Sequence, residues 1–217
     1  MDFNLDKASI NFKIIIIGNQ STGKTSLINK YVYNKFSNDY KATIVSQFDY
    51  KIIKKEEQNY RLSFWDLAGQ DKNPEMIKLF SQDSNGVIIC CEVNNIKSMK
   101  DTLIWKENLI NSIDINKVTI ILCENKCDLL NKNDEKINEL ENFSQENKFN
   151  KCFRTSSLNG YGIEDMMNYL LDDMIKRLEF NEDEFSNSLN SFSLGKIEKK
   201  EKKKMKKKML LIFYFFF

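Results

Sequence analysis

The sequence predicts an α/β fold built on a mostly parallel sheet, and three observations predict it. Short apolar runs, "FKIIIIG" (12–18), "VIICCEV" (87–93) and "VTIILCE" (118–124), are continuous rather than alternating, which suits strands buried on both faces of a parallel sheet. Stretches with helical spacing fall between such runs, at 24–34, 97–112, 134–148 and 163–178, and this alternation implies helices on both faces of the sheet. Two further runs, "FDYKII" and "YRLSFWDL", flank the polar "KKEEQN" and read as an antiparallel hairpin at a sheet edge. "KCFRTSS" (151–157) is the expected last strand.

With 217 residues, 41% hydrophobic and 29% charged, the chain can bury a core and stay soluble. Its net charge of +2 hides a division. Residues 196–208 hold nine Lys and two Glu, a charge of +7, which leaves −5 on the rest. An acidic body argues against a nucleic-acid binder, which would spread basic residues over a groove or face. The five Cys (90, 91, 123, 127 and 152) lie mostly in apolar runs and there is no His. They read as reduced, strand-borne thiols of a cytosolic protein rather than as a metal site. The start "MDFNLDKASI" has no secretory apolar region, and no window is long enough for a membrane-spanning helix. From 180 onward the composition turns polar, rich in Ser and Asn. A domain over 1–179 and a disordered tail over 180–217 are therefore expected.

The first strand runs straight into "GNQSTGKTS", Gly18 to Ser26. This fits G-x-x-x-x-G-K-[ST] in the required context, a strand before and a helix after. Gly18 and Gly23 allow a tight turn around an anion. The N–H groups of Ser21, Thr22, Gly23, Lys24, Thr25 and Ser26 would face phosphate oxygens. Lys24 would reach the β- and γ-phosphates, and the Thr25 hydroxyl can ligate Mg²⁺. The motif says "nucleoside triphosphate" and does not choose the base.

The base is chosen by "NKCD", Asn125 to Asp128, which follows the strand "TIILCE". The carboxyl end of a parallel strand is where α/β folds bind ligands. Guanine offers two donors side by side, the ring N–H and the exocyclic amine, and the Asp128 carboxylate can accept both. Adenine would leave that carboxylate unpaired, a mismatch that discriminates strongly. Asn125 can tie this strand end to the phosphate loop, and Lys126 can lay its stem over the base.

"GNQSTGKTS", "WDLAGQ", "NKCD" and "TSS", in this order over 12–178, resemble the Ras superfamily of small GTPases. The resemblance implies a P-loop domain with a six-stranded, mostly parallel sheet and five helices, binding GTP or GDP with Mg²⁺. It implies that Asp66 holds Mg²⁺ with Thr25 and Thr43, that the Gly69 N–H senses the γ-phosphate, and that Gln70 orients the attacking water, so that Gln70 and Lys24 are the catalytic pair. It further implies that Phe36 packs on the guanine edge, that Tyr40 closes over the phosphates, and that Ser156 and Ser157 belong to the loop meeting the guanine oxygen. Leu158 departs from the usual Lys there.

Within the superfamily "ATIVSQF", "WDLAGQDKNPEM" and "LIWKENL" are most similar to the Rab branch. Phe48, Trp65 and Phe80 resemble the aromatic cluster that effectors read. Val45, Ser46, Asn73 and Pro74 depart from the Rab pattern, Pro74 in a place where it would stiffen the loop. Gln20 and Ser21 stand nearest the expected γ-phosphate. The resemblance implies a monomeric switch at the cytosolic face of intracellular membranes, in vesicle trafficking. Exchange factors, GTPase-activating proteins and effectors would dock on 36–48 and 69–80. The alternative is a hydrolysis-poor, nucleotide-locked scaffold of the same fold, to which Gln20, Asn73 and Pro74 would contribute.

Rab-like chains usually end in prenylated Cys, and no Cys follows Cys152 here. Two readings of "KKKMKKKMLLIFYFFF" stay open. The basic run with its nine apolar residues can form a two-signal peripheral membrane anchor. As a helix those residues reach roughly 14 Å against a bilayer core of about 30 Å. Alternatively the run is not authentic coding sequence, since A-rich and T-rich stretches encode Lys and Phe.

Overall fold

The computed structural model describes residues 9–39, 41–70, 73–130 and 137–191. The apolar runs become strands β1 (Ile10–Gly18), β4 (Gly86–Glu92) and β5 (Thr119–Asn125), and the predicted hairpin becomes β2 (Ser46–Lys55) and β3 (Gln58–Leu67). The last strand, β6, is shorter than its run, Lys151–Arg154. The order is β2-β3-β1-β4-β5-β6. Among the described strands only β2 runs antiparallel, pairing with β3 from Ser46↔Leu67 to Lys55↔Gln58, and the other pairs are parallel. The central strands are apolar all along because both faces are covered: Ile14, Ile15, Ile16 and Ile17 of β1 are each 0% exposed.

Helices α1 (Lys24–Tyr33), α3 (Ile96–Ile110), α4 (Ile137–Glu146) and α5 (Ile163–Ser191) occupy the stretches with helical spacing. A further helix, α2 (Pro74–Ser81), has too few turns to show a period in the sequence. Its start explains two departures from the Rab pattern. Asn73 is the N-cap, its side chain accepting from the Glu75 N–H at 2.9 Å, and Pro74 sits in the first turn, where its missing N–H costs nothing.

The core on one side of the sheet joins Ile15, Ile17, Val87, Ile89, Leu122, Trp105 and Leu109. Beyond Gly162, Ile163, Met166, Met167, Leu170, Leu171 and Met174 are buried. Among the described residues, those up to Met174 form one compact unit and those from Ile175 a second. The sequence predicts the end of α5 at 178 and an aperiodic stretch from 180, whereas the helix runs to Ser191. No Gly or Pro interrupts 163–191, and each added residue extends the hydrogen-bond ladder without a new nucleation cost. The basic and apolar tail lies outside the described residues. Among the described residues no helix is long and apolar enough to cross a membrane.

The five thiols are free. Cys90, Cys91 and Cys123 are buried on β4 and β5, and the Cys90 thiol is pushed up by its Cys123 neighbour and by burial. Cys127 departs from the strand-borne reading: it lies in a short 3₁₀ turn, Cys127–Leu129.

Candidate functional site

Strand order reverses at β1, whose neighbours β3 and β4 carry the chain to opposite sides of the sheet. The crevice beyond the carboxyl ends of such strands is the expected ligand site. A cleft of about 710 Å³ opens there, lined by the phosphate loop, residues 36–39 and 41–43, Gly69, Gln70, the "NKCD" turn and Ser157–Leu158. The volume lies in the range of small-molecule sites.

Each wall follows from local sequence. Gly18 ends β1 at φ +139°, with Cys90 O so close that any Cβ would overlap it. Gly23 begins α1 in the left-handed region with no side-chain cap, so the first N–H groups of the helix remain for an anion. Thr22 is buried, its hydroxyl donating to Asn19 O at 2.9 Å. Lys24, only 6% exposed, donates through Nζ to Gly18 O (2.8 Å) and Asn19 O (2.9 Å). Gly69 lies against the loop, its O accepting from Gln20 N at 3.0 Å. A Cβ on Gly69 would stand 2.4 Å from the backbone nitrogen of Gln20 and 2.5 Å from the carbonyl carbon of Asn19, so the two segments meet only through glycine. Ser21, Ser26, Phe36 and Gln70 also border the cleft. Tyr40 lies outside the described residues.

Three hydroxyl and carboxyl groups converge below Lys24. Thr25 Oγ1 donates to Asp66 Oδ2, Thr43 Oγ1 reaches the same oxygen at 3.3 Å, and the two hydroxyls are 3.0 Å apart. Asp66 is 0% exposed, and its other oxygen, Oδ1, is buried without a hydrogen-bond partner. Burial raises the Asp66 carboxyl, opposed by the Thr25 hydroxyl, the Lys24 charge and the Thr43 hydroxyl. A buried carboxylate oxygen left unpaired is costly, and a hard divalent cation is the partner that oxygen-only surroundings suit. The residues present therefore fit Mg²⁺.

The base end is tied to the loop by Asn125, fully buried. Its Nδ2 donates to Thr22 O at 3.0 Å and to Ser157 Oγ at 3.0 Å, while its Oδ1 accepts from the Thr155 hydroxyl and Ser157 N at 3.2 Å each. Asp128 accepts from the Ser156 hydroxyl, which in turn accepts from Asn159 N at 3.3 Å. Lys126 stands in the left-handed region at φ 64° and sends its ammonium to Glu92, 3.1 Å away. Leu129 and Leu158 border the same end with half their surfaces exposed, apolar flanks suited to a flat ring. Leu129 escapes motif reasoning because it lies one residue past the motif. Asn19 escapes it because its partners are on α3.

Outside the cleft Phe48, Trp65 and Phe80 form the expected aromatic cluster, with ring centroids 5.2 Å and 5.9 Å apart. Cross-strand register makes the first contact, since Phe48 pairs with Trp65.

Fold and cleft define a P-loop protein that binds guanine nucleotide. The Ras family model matches residues 13–176, and the chain belongs to that family. Rab proteins are among its relatives. Ras-related protein Rab-32C of Dictyostelium discoideum is 29% identical over 174 residues, covering 80% of this chain and 78% of the relative. Rab-32A of the same organism is 30% identical over 171 residues, covering 76% and 78%. Human Rab-7L1 is 30% identical over 169 residues, covering 76% and 83%. The chain is a Rab-like small GTPase, an enzyme hydrolysing GTP to GDP and phosphate.

Proposed function

We propose that the protein is a GTP/GDP switch of membrane trafficking, with its G domain over 1–179. Its GTP form would be read by effectors and regulators on residues 36–48 and 69–80, at the cytosolic face of intracellular membranes. One observation carries the reading: Thr25 at the phosphate loop, Thr43 in the segment before the hairpin and Asp66 near the end of β3 meet at one buried carboxylate. A switch needs that meeting, because only a group from each segment can report one bound phosphate to both. The Rab relatives and the exposed edge of the Phe48–Trp65–Phe80 cluster support the trafficking role.

In this reading Thr25, Thr43 and Asp66 hold Mg²⁺, which when bound neutralises phosphate charge. Lys24 binds and polarises the terminal phosphates, Gly69 presents its N–H to the γ-phosphate, and Gln70 orients water. Asn125, Lys126, Asp128, Ser156 and Ser157 hold the base, with Phe36 at its edge. Chelation by EDTA is expected to speed release of bound GDP by about tenfold, read with a fluorescent GDP analogue. An unchanged rate would remove the metal from the site.

Single-turnover hydrolysis tests the switch. Gln70→Leu is expected to slow it by about tenfold or more through loss of water positioning, with GDP affinity kept. The second reading, a hydrolysis-poor scaffold, is favoured by Gln20, which lines the cleft and whose N–H donates to Gly69 O. Equal slowness of wild type and Gln70→Leu, with activating proteins present, would select it.

A further inference from the structure

The phosphate loop is fastened to α3 by a side chain that the loop motif leaves unassigned. Both ends of the Asn19 amide are engaged: Nδ2 donates to Asp101 Oδ2 at 2.7 Å, and Oδ1 accepts from Trp105 Nε1 at 3.0 Å. Asp101 and Trp105 are four residues apart on α3 and so share one face. Trp105 is 1% exposed, and its buried indole N–H requires an acceptor. An aspartate acceptor on one side and an indole donor on the other call for a group with both a donor and an acceptor, and a carboxamide is the side chain that offers them in one plane.

The main chain of the same residue holds the reacting end of the cleft. Asn19 O accepts from Lys24 Nζ and from Thr22 Oγ1, each at 2.9 Å. The next peptide N–H, that of Gln20, donates to Gly69 O at 3.0 Å. The orientation of the two peptides around Asn19 therefore sets where the ammonium and the Gly69 segment sit. Without its side-chain contacts Asn19 would leave those peptides free to rotate, and a buried indole N–H unpaired.

We infer that Asn19, clipped to α3 by Asp101 and Trp105, is a positioning residue. It fixes the shape of the phosphate loop and so the hold on the nucleotide, acting through Lys24 and Gly69. The inference rests on reading the loop as the phosphate site. It also makes α3 a lever on the nucleotide, because a contact that shifts Asp101 must shift the loop, and coupling of this kind is reciprocal.

Reversing the polarity of the clip tests it in the full chain. Asn19→Asp keeps an acceptor for Trp105 but sets a carboxylate against Asp101. Asn19→Asp with Asp101→Asn restores one donor and one acceptor, now exchanged. Comparing the singles with the double isolates this pair from the other contacts of either side chain. Asn19→Asp is expected to release GDP about tenfold faster, and the double variant to return within about threefold of wild type. The preference for GDP over inosine diphosphate should stay that of wild type throughout, because the base is held elsewhere. A changed preference would mean general loosening and would overturn the clip. So would a double variant no slower than Asn19→Asp. Wild type that retains GDP, with Asn19→Asp indistinguishable from it, overturns the clip alone. Wild type that retains no guanine nucleotide overturns the site reading and the clip together.

Discussion

Asp128→Asn is expected to exchange the base preference of the protein. GDP affinity should fall by about three orders of magnitude while xanthosine diphosphate gains, so that the preference inverts. The reason is the pattern of donors along one edge. Guanine presents a ring N–H and an amine, both donors, and a carboxylate accepts both. Xanthine replaces the amine with a carbonyl, so its edge reads donor then acceptor, which an Asn amide matches with its oxygen and its NH₂. The surroundings favour a clean exchange. The Ser156 hydroxyl donates to Asp128 and is itself held by Asn159 N, and an Asn offers that hydroxyl an acceptor too. Asn125, which carries the connection to the phosphate loop, is untouched. Competition of GDP and xanthosine diphosphate against a fluorescent GDP analogue reads the ratio. An unchanged preference would remove Asp128 from the base site.

Most of this site could be read from the sequence because its parts are local. A phosphate loop is nine consecutive residues between a strand and a helix, and the base reader is four residues at a strand end. Their meeting in space follows from parallel topology, which places every strand end with the same polarity on one side. The parallel strands themselves were visible because burial on both faces makes them apolar without alternation, as in Ile14–Ile17. What escaped was either short or non-local. Helix α2 has eight residues, too few for a periodic signal, and its cap lies in Asn73 and Pro74, which look like departures from a motif until the helix is seen. The continuation of α5 through a polar stretch is hidden because low hydrophobicity leaves no period to read, although nothing in 179–191 breaks a helix. Asn19 escaped because its partners lie 82 and 86 residues away. No spacing rule within a loop can show a contact of that range.

Removing the charge of Lys24 is expected to cost the most affinity for phosphates. Each charge-assisted hydrogen bond contributes about 1.5–3 kcal/mol, so losing two should weaken GTP binding by about 10² to 10⁴. Lys24→Met is the sharper variant, since it keeps an apolar stem in the buried channel and removes only the ammonium. Lys24→Ala should be worse in a second way, because it also leaves space beside the Gly18 and Asn19 carbonyls that Nζ now serves. Lys24→Arg, though it keeps the charge, should not rescue binding. The ammonium is buried and donates to the Gly18 and Asn19 carbonyls at 2.8 and 2.9 Å, a compact geometry that a longer, planar guanidinium does not reproduce. Thermal unfolding of each variant separates lost binding from lost folding. Equilibrium titration with GTP then gives the comparison. Affinity of Lys24→Met within about twofold of wild type would show that the ammonium serves the loop carbonyls alone and leaves the phosphates to the backbone N–H groups at the start of α1.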